Sequence, residues 1–242
     1  MSSRETQRLI LDSALRLFNQ HGSPNISTNR IAEDCGISKG NLNYHFRTKQ
    51  EIILTLFWEM SQETMAESCE SEGNPDDRLA NLFARQLGNG WRYRFFIREA
   101  ASLLREQNIL RRRFGELRRR NAGEWRRALG DLAAAGKMRP LPPEPELDLL
   151  LGAIFVHCDH WLHFIETQDE DIDDVAFTQG YETLLMLLGS FLTEAGARSL
   201  RRPAAIEGLT RQFLNQIAPT PVVVRHRAAA VAVAVAVAVA AQ

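Results

Sequence analysis

Residues 26–49 read I-S-T-N-R-I-A-E-D-C-G-I-S-K-G-N-L-N-Y-H-F-R-T-K, and this stretch decides the fold. Ser27 or Thr28 is a suitable N-cap for a helix of about seven residues on which Ile31 and Ala32 face inward. Cys35-Gly36-Ile37 then forms a tight turn, because Gly36 has no Cβ and can take the left-handed conformation that ends a helix. Ile37 plugs the core, and Ser38 caps a second short helix from Lys39 to His45. Ala32 is small and lets the two helices approach closely. Two short helices joined by a turn containing glycine make a helix-turn-helix, whose second helix enters the major groove of DNA.

The second helix has the chemistry for that task. Leu42 and Phe46 point inward, while Lys39, Gly40, Asn41, Asn43, Tyr44 and His45 form a polar outer face. Gly40 allows close approach of backbone to phosphates or bases. Lys39 can bond guanine acceptors, and Asn41 or Asn43 can pair with adenine through two hydrogen bonds. Thr28, Tyr44, His45 and Lys49 suit phosphate oxygens, which position a protein without reading sequence. Asparagine and glycine are poor interior helix formers, so their presence on a short exposed helix calls for a reason outside the helix.

Residues 8–52, from R-L-I-L-D-S-A-L-R-L-F-N-Q-H-G to N-L-N-Y-H-F-R-T-K-Q-E-I, resemble the DNA-binding domain of the TetR family of bacterial transcriptional regulators. The resemblance covers about a fifth of the chain. It implies DNA contacts from Thr28 and Asn29 at the start of the second helix. It also implies contacts from Lys39, Gly40, Asn41, Asn43, Tyr44 and His45 on the recognition helix, and from Lys49 at the start of the fourth helix. The family places tyrosine directly after the leucine of the recognition helix. Here Asn43 holds that place and Tyr44 follows, which shifts a tyrosine–phosphate contact by one residue.

Outward from this motif the chain reads as all-α. Apolar residues recur at helical spacing in Ile10, Ala14, Leu17 and Phe18, and again in Ile53, Leu56, Phe57, Met60 and Met65. The stretches 92–109, 124–135, 146–167, 177–194 and 204–217 continue the pattern, for roughly nine or ten helices. Breaks are expected at Gly22-Ser23-Pro24, Gly73-Asn74-Pro75, Gly88-Asn89-Gly90, Pro140-Leu141-Pro142-Pro143 and Pro219-Thr220-Pro221. The expected organisation is a helix-turn-helix DNA-binding domain at 1–50, a larger helical domain for effector binding and dimerisation at 51–218, and an Ala/Val tail at 219–242. The tail contains the low-complexity run 228–241, which is expected to be disordered and is assigned no function.

Composition narrows the function classes. The chain has 242 residues, is 45% hydrophobic and 24% charged, and carries a net charge of -1. No apolar run is long enough to span a bilayer, and the start Met1-Ser2-Ser3-Arg4-Glu5 lacks a secretory stretch. Three distant cysteines, Cys35, Cys69 and Cys158, fit a reducing cytoplasm better than a disulfide framework. The charge is segregated: successive blocks 1–50, 51–90, 91–139, 140–200 and 201–242 carry nets of +3, -6, +9, -11 and +4. Bulk positive charge therefore cannot explain nucleic-acid binding, and any DNA contact must be local. The arginines at 111–113, 118–120 and 126–127 are expected to pair with the acidic blocks or to face solvent.

In the larger part, Leu147–Ile165 and Phe177–Leu192 are apolar over more than one stripe. Such helices are buried against their own domain and against something else, and a second copy of the chain is the natural partner. The resemblance likewise implies a four-helix dimer interface and a pseudo-palindromic double-stranded DNA operator. Trp91, Phe95, Phe96, Trp125, Phe155, His157, Trp161 and Phe164 are candidate walls for a small-molecule effector, with His157, Trp161 and Phe164 on one helix face. Individually such aromatics are more often ordinary core. His157, Cys158, Asp159, His160 and His163 invite a metal reading, but they spread around the helix; no metal and no cofactor is expected. No phosphate-binding glycine loop, nucleophile elbow or zinc-protease motif is present, so an enzyme is not expected. The resulting expectation is a homodimeric repressor released by an unknown effector. A transcriptional activator, or an effector-independent DNA-binding protein of the same fold, remains the alternative.

Overall fold

The structure, a computed structural model, describes residues 2–66 and 74–201 together with 208, 210, 211, 213 and 214. Cys69, most of the stretch 204–217, the Pro219-Thr220-Pro221 break and the Ala/Val run lie outside these residues. Ten α-helices occur among the described residues: α1 Ser3–His21, α2 Thr28–Cys35, α3 Lys39–His45, α4 Lys49–Ala66, α5 Pro75–Arg92, α6 Arg94–Glu106, α7 Asn108–Ala134, α8 Glu146–Thr167, α9 Asp174–Leu187 and α10 Glu194–Leu200. A 3-10 turn at Ser23–Asn25 joins α1 to α2. The fold is all-α, an N-terminal three-helix helix-turn-helix unit followed by a larger helical part. The extended element among the described residues is one isolated bridge between Met138 and Leu192.

Local chemistry sets the helix starts. Ser2 and Glu5 form a reciprocal capping box on α1. Asn74 caps α5, with Pro75 in the first turn. The Asp173 carboxylate accepts from the backbone N–H groups of Val175 and Ala176, each at 3.0 Å, and so starts α9.

Two hydrophobic cores result. The first combines Ile10, Ala14 and Phe18 of α1, Ile31 of α2, Leu42 of α3 and Ile53 and Phe57 of α4 with Phe95, Phe96 and Leu103 of α6 and Leu110 and Leu117 of α7. The second gathers Leu79 and Phe83 of α5, Trp125 and Leu129 of α7, Ile154 and Leu162 of α8, and Phe177, Tyr181 and Leu184 of α9. Helix α7 therefore contributes to both cores along its 27 residues.

Three expectations are corrected. Gly88-Asn89-Gly90 lies inside α5 instead of breaking it. The Asn89 side chain donates to the Met60 carbonyl of α4 at 2.9 Å and to the Thr64 hydroxyl, so tertiary contacts hold a locally weak segment in helix. Helix α7 begins at Asn108, well before the apolar stripe that starts at 124; its arginine-rich first half is anchored by the buried Leu110 and Leu117 and by the partly buried Phe114 between them. Helix α9 ends at Leu187 rather than 194, because the chain then turns to bond its 191–193 backbone to Lys137 and Arg139.

Helices α8 and α9 present an apolar outer face. Leu149, Gly152, Ala153, Val156, His160 and Phe164 are exposed at helical spacing along α8. Val175 and Met186 are exposed on α9, Met186 at 74%.

Candidate nucleic-acid interface

The helix-turn-helix is built by two serine caps and one glycine. Ser27, not Thr28, is the N-cap of α2, its hydroxyl accepting from the Arg30 N–H at 3.2 Å. Gly36 ends α2 in the left-handed region at φ 66°, where a side chain would be strained. The Ile37 N–H then bonds the Ala32 carbonyl at 3.0 Å, closing the turn. Ser38 starts α3 by accepting from the Asn41 N–H at 3.1 Å. Leu42 is fully buried and Phe46 nearly so, which fixes the rotation of α3 on the core.

That rotation puts the expected residues on one outer surface. Lys39, Gly40, Asn41, Asn43 and Tyr44 are exposed, and His45 is half-buried against the Tyr44 ring at 5.2 Å. Tyr44 is 81% exposed, an unusual position for an aromatic ring whose one ring contact among the described residues is its neighbour His45. Asn29 is exposed at the start of α2 and Thr28 half-buried beside it. Among the described residues Gly40 meets nothing that a methyl group would disturb; the nearest atom to an added Cβ is the Ser38 hydroxyl at 3.8 Å. The protein's own packing therefore gives no reason for glycine there.

Lys49 stands differently from the rest. Its ammonium donates to the Ser23 carbonyl at 2.7 Å and to the Pro24 carbonyl at 3.4 Å, tying the first residue of α4 to the 3-10 turn. Two cations escaped the sequence reading. Arg47, in the link between α3 and α4, and Arg30, on the outer side of α2, are both exposed near this surface. Their signal was position alone: each lies within two residues of a residue already singled out.

A polar seam joins this unit to α6. The Asn19 side-chain carbonyl accepts from the Phe95 N–H at 3.0 Å, and its amide donates to the Arg92 carbonyl at 2.9 Å. Arg98 donates to the Asn19 backbone carbonyl at 3.1 Å and pairs with Glu166 of α8. The seam thus connects the end of α1, the middle of α6 and the end of α8.

The expected effector residues fall in separate places. Phe95 and Phe96 belong to the first core. Trp125 is fully buried in the second, its indole N–H donating to Gln86 at 2.8 Å. Trp91 lies edge-on to His163 and beneath the Arg94 guanidinium. Phe155 carries the Arg118 guanidinium over its ring. His157 and Trp161 do adjoin one another on the seam between α8 and α9, bonding the Gly180 and Ala176 carbonyls at 2.8 Å. Phe164 stands beside Trp161 but is 54% exposed. Of the histidine cluster, His157 turns to Gly180, His163 bonds its own helix at Asp159, and His160 faces outward. Two cavities are lined by other residues. One of about 40 Å³ lies among Met60, Asn89, Leu117, Arg118 and Asp159, and one of about 270 Å³ lies between α4 and α7.

Four of the eight arginines of α7 have a carboxylate partner among the described residues, Arg113 with Glu116 being one of them. Arg118 meets Asp159, Arg126 meets Glu144 and Asp148, and Arg127 meets Glu124.

Comparison with known proteins agrees with this geometry. Residues 10–56 match the family model described as bacterial regulatory proteins, tetR family, and residues 60–200 match one described as bacterial transcriptional repressor. The HTH-type transcriptional regulator AcrR of Shigella flexneri is 37% identical over 65 residues, 27% of this chain and 30% of that protein's length. A crystal structure of a TetR-family transcriptional regulator from Marinobacter aquaeolei VT8 superposes with a TM-score of 0.73 at 29% identity, covering 88% of this chain and 99% of that one. The SmeT–triclosan complex shares the fold at 18% identity, with a TM-score of 0.56 over 79% of this chain and 94% of that one.

Proposed function

The chain belongs to the TetR family of DNA-binding bacterial transcriptional regulators, and on that premise we propose that it is a homodimeric repressor released from a pseudo-palindromic operator by a small molecule. The observation that carries the DNA side is the outer face of α3: Lys39, Asn41, Asn43 and Tyr44 are exposed above a fully buried Leu42. Lys39 and Asn41 read base edges at the helix N-terminus, and Asn43, Tyr44, His45, Thr28, Asn29 and Lys49 hold the register on the backbone. Arg30 and Arg47 add phosphate contacts at the flanks.

The apolar outer face of α8 and α9 supports the dimer. Leu149, Val156 and Phe164 expose more than half of their surface on a single chain, and a two-fold partner presenting the same face would cover them. Such a dimer sets its recognition helices about 34–36 Å apart, one turn of DNA. Residues 1–50 then act as the reading head and 51–218 as the part that dimerises and senses.

Release by an effector needs only a modest difference between two states. A ligand that binds the non-operator conformation better by about 2.7 kcal/mol weakens operator affinity roughly a hundredfold. The fold's occurrence in a complex with triclosan supports small-molecule sensing as the input.

Selection of binding sites from a random DNA pool tests the reading. Symmetric half-sites one turn apart are expected, with altered base preference for Asn41→Ala and Lys39→Ala in proteins that still dimerise. An unsymmetric site, or unchanged preference in both variants, would overturn it.

A further inference from the structure

The groove between α4 and α7 has a volume of about 270 Å³, near the lower end of small-molecule sites, and none of the aromatic residues expected to bind effector lines it. Its walls are chemically divided. Phe57 and Leu117, both buried, form an apolar floor, and Trp58 stands at the rim, 40% exposed. Ser61, the adjoining polar group of α4, spends its hydroxyl on the Phe57 carbonyl. The α7 side presents Arg113, Glu116 and Arg120 at helical spacing on one face.

The charges do not cancel. Arg113 lies over the Trp58 ring at 5.1 Å and pairs with Glu116 at 3.1 Å. Glu116 is the one carboxylate among the described lining residues, so that pair is neutral and Arg120 adds a further cation to this wall. Arg120 contacts the Met65 sulfur, a weak acceptor, and has no carboxylate partner among the described residues. An aromatic rim, an apolar floor and a guanidinium fork together suit a flat organic body bearing a carboxylate, which can engage arginine through two parallel hydrogen bonds.

We propose that the α4–α7 groove is the effector site and that its ligand is a small organic anion, with an unsaturated or aromatic body against Trp58, Phe57 and Leu117 and its carboxylate on Arg120. This rests on the reading that the protein is released by a small molecule, and names the chemistry of that input. Leu117 also lines the smaller cavity that contains Asn89, whose side-chain oxygen is buried without a donor.

Calorimetric titration of the full chain with cinnamate, cinnamamide and cinnamylammonium tests the assignment, since the three share a body and differ in charge. Cinnamate is expected to bind one per chain and about tenfold or more tighter than the amide, with the cation weakest. Arg120→Gln removes the preference for the anion, Trp58→Leu weakens cinnamate and cinnamamide alike, and Arg127→Gln, outside the groove, changes nothing. Thermal melting of each variant separates lost binding from lost folding. Equal affinity for acid and amide, an unaltered Arg120→Gln, or no cinnamate binding at millimolar concentration overturns the proposal. DNA binding by the ligand-free protein is measured on the same preparation. Its absence would remove the regulator reading and leave cinnamate binding standing, whereas intact DNA binding without cinnamate binding would remove the groove assignment alone.

Discussion

Ser23 and Glu99 are joined twice across 76 residues of sequence: the Ser23 N–H donates to one carboxylate oxygen at 2.7 Å and its hydroxyl donates to the other. The Ser23 carbonyl accepts from Lys49 at the start of α4, so one buried residue of the 3-10 turn ties α6 to the DNA-proximal end of α4. Glu99→Ala leaves the Ser23 N–H without its acceptor. Such a loss costs about 1–3 kcal/mol. A lower melting temperature and weaker DNA binding are expected, although Glu99 lies off the recognition face, and Glu99→Gln should fall between. A gel shift in which Glu99→Ala binds its selected DNA site as tightly as the parent would show that α6 does not position the reading head.

Gly40 separates stability from function. An alanine Cβ there meets only a serine hydroxyl at ordinary contact distance, so Gly40→Ala should stabilise the fold by about 0.5–1 kcal/mol through helix propensity. The same methyl group stands on the face of α3 that the proposed function lays against DNA. The expected variant melts at higher temperature and binds DNA more weakly. A rise in both would show that the backbone at Gly40 keeps its distance from the duplex.

The helix-turn-helix was legible in the sequence because its determinants are local: Ser27 and Ser38 cap, Gly36 turns, and Leu42 and Phe46 set a face within one helical turn. The continuity of α5 was not legible, since Gly88-Asn89-Gly90 is locally weak and is held by Met60 and Thr64, some 25 residues away. The first half of α7 was hidden for the opposite reason. Its arginines mask a helix whose buried positions, Leu110 and Leu117, are a full two turns apart. Aromatic content likewise pointed to Trp125 and Phe95 as pocket walls, and both serve as core. The groove between α4 and α7 is marked instead by Arg113 and Arg120, whose relation to Trp58 depends on how the two helices meet.

Val156 lies midway along the exposed face of α8 and is 65% exposed on a single chain. Val156→Glu should therefore leave the monomer's stability nearly unchanged while placing like charges against each other in a two-fold contact. Analytical ultracentrifugation is expected to show monomers at concentrations where the parent chain is dimeric. A dimer of undiminished affinity would move the interface away from α8.

His157 and His163 predict how stability depends on pH. Burial pushes both below the ordinary histidine value of 6.5, and the nearby Arg98 guanidinium lowers His163 further. The unfolded chain therefore binds more protons than the folded one just below that value, and stability falls as pH drops through this window while remaining full above it. His163 faces the Trp91 ring, Arg98 and Glu166, and its Nε2 is buried without a partner. His163→Phe keeps a ring in place and removes the titration. Thermal melts between about pH 7.5 and pH 5.5 should show a shallower decline for this variant. An identical slope would assign the pH dependence to other groups.

Helix α7 spans about 40 Å at the usual rise per residue. Leu110 and Leu117 at one end, and Trp125, Leu129 and Leu132 at the other, seat it in separate cores. A rod held at both ends behaves as a lever: a tilt of about 4° at one seat carries the far seat through roughly 3 Å, the order of displacement that interfaces amplify into switching. A sideways push on the arginine-studded middle, which carries the Arg118–Asp159 ion pair with α8, is therefore felt at the seats themselves.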